Sequence, residues 1–121
     1  MNVKDIDLNI GEDFGIVYAV QDDNVDLTGF KSVFAIRKRA SGPLVIKVQG
    51  VASGKIATFN ISGKDTLEIK SFGEHVYDAF AYKESEPSRY YKLGMGVVNI
   101  IQDVAMHDYR RNVLCKTKRY Q

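Results

Sequence analysis

The chain has 121 residues, with 17 lysines and arginines against 15 aspartates and glutamates, a formal net charge of +2. That balance gives no electrostatic reason to expect nucleic acid as a partner. The hydrophobic share of 45% and charged share of 26% are those of an ordinary globular domain. A single cysteine, Cys115, excludes an internal disulfide, and no apolar run reaches the length of a membrane-spanning helix. The opening Met1-Asn2-Val3-Lys4-Asp5-Ile6-Asp7 lacks a signal peptide's apolar stretch, so synthesis and folding in a cytoplasm are expected.

In chain order, residues 3–10 alternate Ile6, Leu8 and Ile10 with Asp5, Asp7 and Asn9, the pattern of a half-buried strand. Phe14 to Val20 reads as a second strand, with Phe14, Ile16, Tyr18 and Val20 sharing one face. Gln21-Asp22-Asp23-Asn24 is a turn by composition, because Asp and Asn side chains bond their own backbone. Val25-Asp26-Leu27-Thr28-Gly29 leads into a third strand, Phe30 to Arg39, and Ala40-Ser41-Gly42-Pro43 turns the chain again. Leu44 to Gln49 and Lys55 to Ile61 are the fourth and fifth strands, separated by a Gly50–Gly54 loop. Ser62 to Ile69 is the one place for a short helical turn, with Ser62 capping it and Leu67 plugging its core end.

The sixth strand, residues 73–83, is the least interrupted β-favouring run. His75, Tyr77, Ala79 and Ala81 point one way, and Val76, Asp78, Phe80 and Tyr82 the other. Apolar residues on both faces predict a central position. Glu84 to Arg89 reads as a polar hairpin loop, and Tyr90 to Ile101 as a seventh strand with Leu93, Met95 and Val97 on a common face. Seven short strands with turn signals about every ten residues predict an all-β fold, a seven-stranded antiparallel sandwich over residues 1–101.

Residues 102–121 break the pattern. They carry five basic residues against Asp103 and Asp108, a net of +3, so the rest of the chain stands at −1. This stretch is expected to be an extended or partly helical basic tail that docks on a partner.

No catalytic, metal or cofactor site emerges. His75 and His107 have no histidine or cysteine at ligand spacing. Gly94-Met95-Gly96 starts like a dinucleotide fingerprint, but Asn99 stands where the third glycine belongs. Asp22, Asp23 and Asp26 lack the closing glutamate of a calcium loop. What remains is apolar and aromatic surface: Val76, Phe80 and Tyr82 on the sixth strand, Val98 and Ile100 on the seventh, Val17 on the second, and Tyr90 and Tyr91. Contiguous surface of this kind marks an interface. We expect protein–protein contacts at Val76, Phe80, Tyr82, Tyr90 and Tyr91, and at Tyr109, Arg110 and Arg111 of the tail. A carbohydrate-binding role for Tyr82, Tyr90 and Tyr91 is the alternative.

The order of motifs resembles a known family. An acidic turn leads to Asp26-Leu27-Thr28-Gly29 and a strand ending Phe34-Ala35-Ile36-Arg37; later come Gly73 to Asp78 and Leu93-Gly94-Met95-Gly96-Val97-Val98. Over residues 6–103 this is similar to the immunoglobulin-like β-sandwich modules of tailed-bacteriophage virion proteins, particularly the N-terminal domains of baseplate upper proteins and tail-fibre attachment modules. The resemblance implies a non-catalytic structural subunit of the virion, in the tail, baseplate, neck or capsid surface. It further implies other virion proteins as partners, in a homo- or hetero-oligomer.

Overall fold

A computed structural model describes residues 2–102. It is an all-β sandwich of nine strands and one short helix: β1 (Asn2–Val3), β2 (Ile6–Asn9), β3 (Phe14–Ala19), β4 (Lys31–Arg37), β5 (Leu44–Gln49), β6 (Val51–Ser53), β7 (Ile56–Ile61), α1 (Gly63–Thr66), β8 (Gly73–Lys83) and β9 (Glu86–Ile101). The larger sheet runs β1-β9-β8-β4-β5, with β2 following β1 along β9; the smaller runs β3-β7-β6. The expected all-β sandwich is present, with β8 at the centre of the larger sheet; its pairing is antiparallel as expected except at β1 and β2, which run parallel to β9.

The strand count is nine rather than seven for two local reasons. Residues 3–10 form two strands because the ladder breaks after the Lys4 amide, which still bonds the Met95 carbonyl at 3.1 Å. The Tyr77 hydroxyl donates to the Lys4 carbonyl, and the Asp5 carboxylate accepts from the Val97 amide at 3.2 Å. Gly96 lies directly beneath, where any Cβ would overlap the Lys4 carbonyl. Residues 50–54, expected as a loop, contain β6. The chain leaves the larger sheet at Gly50, whose amide bonds the Ser32 carbonyl at 3.1 Å, and joins the smaller sheet as its edge. The hairpin after β8 is also tighter than expected, since Lys83 pairs with Glu86 across a two-residue turn.

The core lies between the sheets. Phe34 is fully buried and meets Tyr77 in a stack at 5.3 Å, Phe59 at 5.8 Å and Phe14 at 6.1 Å. From the smaller sheet come Tyr18, Ala57, Phe59 and Ile61, the inward set of an alternation that leaves Val17 exposed. Val98 and Ile100 are buried too, so the apolar second face expected for the seventh strand is core. Ser62 caps α1 by accepting from the Asp65 amide at 3.1 Å, and Leu67 closes its core end at 3% exposure, as the sequence pattern predicts. Inside this cap the Thr66 hydroxyl donates to the Gly63 carbonyl and accepts from the Gly11 amide, tying α1 to the turn after β2.

Candidate interaction face

The site is built on β8. Its alternation sends His75, Tyr77, Ala79 and Ala81 into the core, all at most 3% exposed, and Val76, Asp78, Phe80 and Tyr82 outward. The antiparallel register with β4 and β9 then arranges the outer face in rows. Arg37, Val76 and Val97 form one row; Ala35, Asp78 and Met95 the next; Val33, Phe80 and Lys92 a third; Lys31, Tyr82 and Tyr90 the last. Side chains directly opposite one another on a face pack together. Accordingly Val33 is buried although it sits on the outside of the sheet, while Tyr90 is 62% exposed and Met95 40%.

Phe80 is the hub of the aromatic end. Its ring lies 5.9 Å from Tyr82, tilted, and 6.5 Å from Tyr90, nearly perpendicular. These three rings, with Asp78 and Lys92, bound an open recess of about 380 Å3. A second recess, about 420 Å3, continues along the face past Val76, Met95 and Val97 and shares Asp78 and Lys92 with the first. Asp78 and Lys92 bond each other at 2.8 Å, which neutralises the centre of the patch. Both groups are about 40% exposed, so the pair is worth only ~0–1 kcal/mol to the fold.

Of the expected interface residues, Val76, Phe80, Tyr82 and Tyr90 are brought together on this face. Tyr91 is not among them. Strand alternation turns it inward to pair with Ala81, and its ring packs 6.2 Å from Phe30. Tyr109, Arg110 and Arg111 lie outside the described residues. Met95 and Val97 belong to the face and were missed as interface candidates. Their parity was legible, but Leu93 was grouped with them. A bulge separates these residues: Ala79 pairs with Gly94 and Phe80 with Lys92, leaving Leu93 as the extra residue, turned into the core at 5% exposure.

The remaining polar groups serve the fold. Buried His75 has both ring nitrogens occupied, Nδ1 donating to the Gly73 carbonyl at 2.9 Å and Nε2 accepting from the Ser71 hydroxyl at 2.7 Å. The Asp-Leu-Thr-Gly stretch works as a clasp. Asp26 accepts from the Thr28 amide, Leu27 is fully buried, and the Thr28 hydroxyl accepts from the Gly54 amide. The hydrogen bond from Thr28 holds the Asp26 carboxyl below the usual carboxylate range. The Lys55 ammonium donates to the Asp22 and Val25 carbonyls, filling the centre of the acidic turn. Among the described residues no cluster of three or more His, Cys, Asp or Glu side chains could hold a metal ion, and no helix is long and apolar enough to cross a membrane.

No family model matches the sequence, and no curated protein matches it. Among solved structures, one similar chain is assigned as a glycoside hydrolase from Bacteroides vulgatus. The likeness has 11% identity and a TM-score of 0.47, and covers 84% of this chain and 17% of that one. Another is a family 123 glycoside hydrolase from Clostridium perfringens, at 15% identity and TM-score 0.38, covering 86% of this chain and 24% of that one. This chain thus spans less than a quarter of the length of either enzyme, and neither likeness bears on its chemistry.

Proposed function

We propose that the protein is a non-catalytic structural subunit that assembles through the outer face of its larger sheet, in the particle of a tailed bacteriophage. The observation that carries the assembly role is the outward side of β8. A central strand needs no apolar residues on its solvent side, yet Val76, Phe80 and Tyr82 stand there and continue into Tyr90, Met95 and Val97 across the register. The strand's outward row holds two charged residues: Glu74 at its start, and Asp78 at the middle of the patch, which is paired with Lys92. Exposed aromatic and methionine side chains around a neutralised centre are the composition of an interface core. Assignment to a phage particle rests on the motif order from Asp26-Leu27-Thr28-Gly29 to the glycine-bearing last strand.

The test is a double variant, Tyr90→Glu with Met95→Glu, expressed in the native particle-forming background. Both side chains are exposed, so the fold should be unchanged by circular dichroism while incorporation into particles is lost. Normal incorporation of the variant would overturn the assignment of this face.

A carbohydrate-binding reading is favoured by one feature, the near-perpendicular setting of Tyr90 against Phe80 beside a carboxylate and an ammonium. An aromatic corner with polar groups at its edge can stack and hydrogen-bond a sugar ring. Glycan-array binding that disappears in Tyr82→Ala and Tyr90→Ala, with particle incorporation intact, would replace the assembly reading with this one.

A further inference from the structure

Among the described residues the smaller sheet ends on an edge that is open and unguarded. β3 pairs with β7 alone among the described residues. The Val20 amide bonds the carbonyl of its directly opposite residue, Lys55, at 2.8 Å. Hydrogen-bonded and non-hydrogen-bonded pairs alternate along an antiparallel ladder. Phe14, Ile16 and Tyr18 are therefore the residues that bond β7, and Gly15, Val17 and Ala19 direct their amides and carbonyls away from it. All three are exposed, and no backbone partner is present for them among the described residues. Natural edges are blunted with lysine, proline or a bulge. Phe14-Gly15-Ile16-Val17-Tyr18-Ala19 has none of these, and its pairing with β7 runs without a register shift.

Two further observations define what this edge would take. Its ends are acidic, with Glu12 and Asp13 before the strand and Asp22 and Asp23 after it; none of the four is in an ion pair among the described residues. Beside its second half lies a groove of about 540 Å3, walled by Tyr18, Val20 and Val25 on one side and by Asn2, Tyr91 and Leu93 on the other. The Tyr18 hydroxyl, in a side chain 3% exposed, is buried without a hydrogen-bond partner at this wall. The matching ligand is an extended peptide with a short uncharged centre, an apolar side chain for the groove and basic residues at both ends. A second copy of β3 does not qualify, since antiparallel self-pairing about Val17 would set Glu12 against Asp22.

The chain contains such a segment in Arg110-Arg111-Asn112-Val113-Leu114-Cys115-Lys116-Thr117-Lys118. It is also within reach. The Ile101 carbonyl accepts from the Ile10 amide at 3.0 Å, and Ile10 is four residues before the start of β3. Four extended residues and the hydrogen-bonded step from Ile101 to Ile10 place the end of β9 within roughly 19 Å of the edge, and the residues from 102 to 110 can span roughly 27 Å when extended. We propose that the free edge of β3 is the docking site for residues 110–118 of the same chain, which add to the smaller sheet by main-chain hydrogen bonds and are oriented by the acidic ends. This does not rest on the assembly role of the opposite sheet face.

Amide hydrogen exchange by NMR on the full-length protein tests it, comparing the natural sequence with the charge-reversed Arg110→Glu, Arg111→Glu, Lys116→Glu, Lys118→Glu variant. The Gly15, Val17 and Ala19 amides should exchange at least about tenfold more slowly in the natural protein than in the variant. The core amides of Ile36 and Tyr77 serve as the folding control and should be unchanged. Protection of the three edge amides should be independent of protein concentration. Equal exchange of those amides in the two proteins would overturn the proposal. Concentration-dependent protection would overturn it too, because the segment would then come from another copy. Should the variant lose core protection, addition of 1 M salt to the natural protein replaces it as the perturbation. Screening should then speed exchange at the three edge amides selectively, and no change would count against the proposal.

Discussion

The two faces of β8 share one backbone and one set of ladder bonds, yet they are finished in opposite ways. On the inner face each residue has an assigned neighbour. His75 is held by Ser71 and Gly73, Tyr77 stacks on Phe34 and bonds Lys4, and Ala79 lies beside Gly94, where the ring of Tyr18 presses so close that no Cβ would fit. On the outer face Val76, Phe80 and Tyr82 are half-covered by the residues in their own rows, and among the described residues by nothing above them. A face completed within the chain encodes the fold. A face left apolar but incomplete is available for something outside it. Stability and assembly should therefore be separable by which side of one strand is changed.

The largest expected effect is on the inner side. Phe34→Ala removes the ring on which Phe14, Phe59 and Tyr77 converge, and should cost about 3–5 kcal/mol in urea unfolding, enough to unfold a domain of ordinary stability. Ser71→Ala comes next, because it strips the Nε2 partner from a histidine that is 1% exposed; a loss of about 1–3 kcal/mol is expected by the same measurement. If either change left the unfolding midpoint in place, the inner face would lose its claim to specify the fold.

Tyr18 sharpens the contrast through pH. Burial, with the neighbouring Tyr77 adding repulsion, pushes its phenol well above the ordinary tyrosine value. The folded state therefore favours the protonated form. Its contribution is fully present below about pH 10, where an unfolded tyrosine titrates, and is lost progressively as pH rises beyond that. Tyr18→Phe should flatten this alkaline loss. At neutral pH it should change stability by no more than about 1 kcal/mol in either direction, since the hydroxyl it removes is buried with no partner at bonding distance and only the neighbouring Tyr77 phenol to interact with. A stability–pH curve from 8 to about 12 checks both parts.

The smallest effect belongs to the outer side. Lys92→Ala breaks the Asp78 pair at the surface, and should change stability by less than about 1 kcal/mol. It nevertheless leaves an unpaired carboxylate at the middle of the patch, so the same variant should weaken assembly more than it weakens the fold. A large stability loss with normal assembly would reverse the assignment of the two faces.

Much of this was readable without coordinates. The alternation from His75 to Tyr82 predicts both the strand and its two faces, and Tyr90 and Tyr91, being neighbours, were bound to separate once a strand ran through them. The inward sets of β3 and β7 follow from the same period of two. The clasp at Asp26-Leu27-Thr28-Gly29 was visible as a motif, though its purpose needed Gly54, distant in sequence, to be in place. Other features left no local trace. The bulge at Leu93 is a mismatch between two strands and exists in neither one alone. The break at Lys4 and Asp5 depends on Tyr77 arriving from more than seventy residues away. The transfer of the chain from one sheet to the other at Gly50 looks, locally, like any glycine-bounded loop.

The sequence by itself determined that this is an all-β protein, where most strands lie, which side of each is apolar, and that the body and the last twenty residues differ in charge. Those properties are set by side-chain period and composition, which are written along the chain. Tertiary structure alone decided which strands pair, which apolar faces are covered, and that one sheet edge and one sheet face are left incomplete among the described residues. Coverage is a relation between segments, and no single segment carries it.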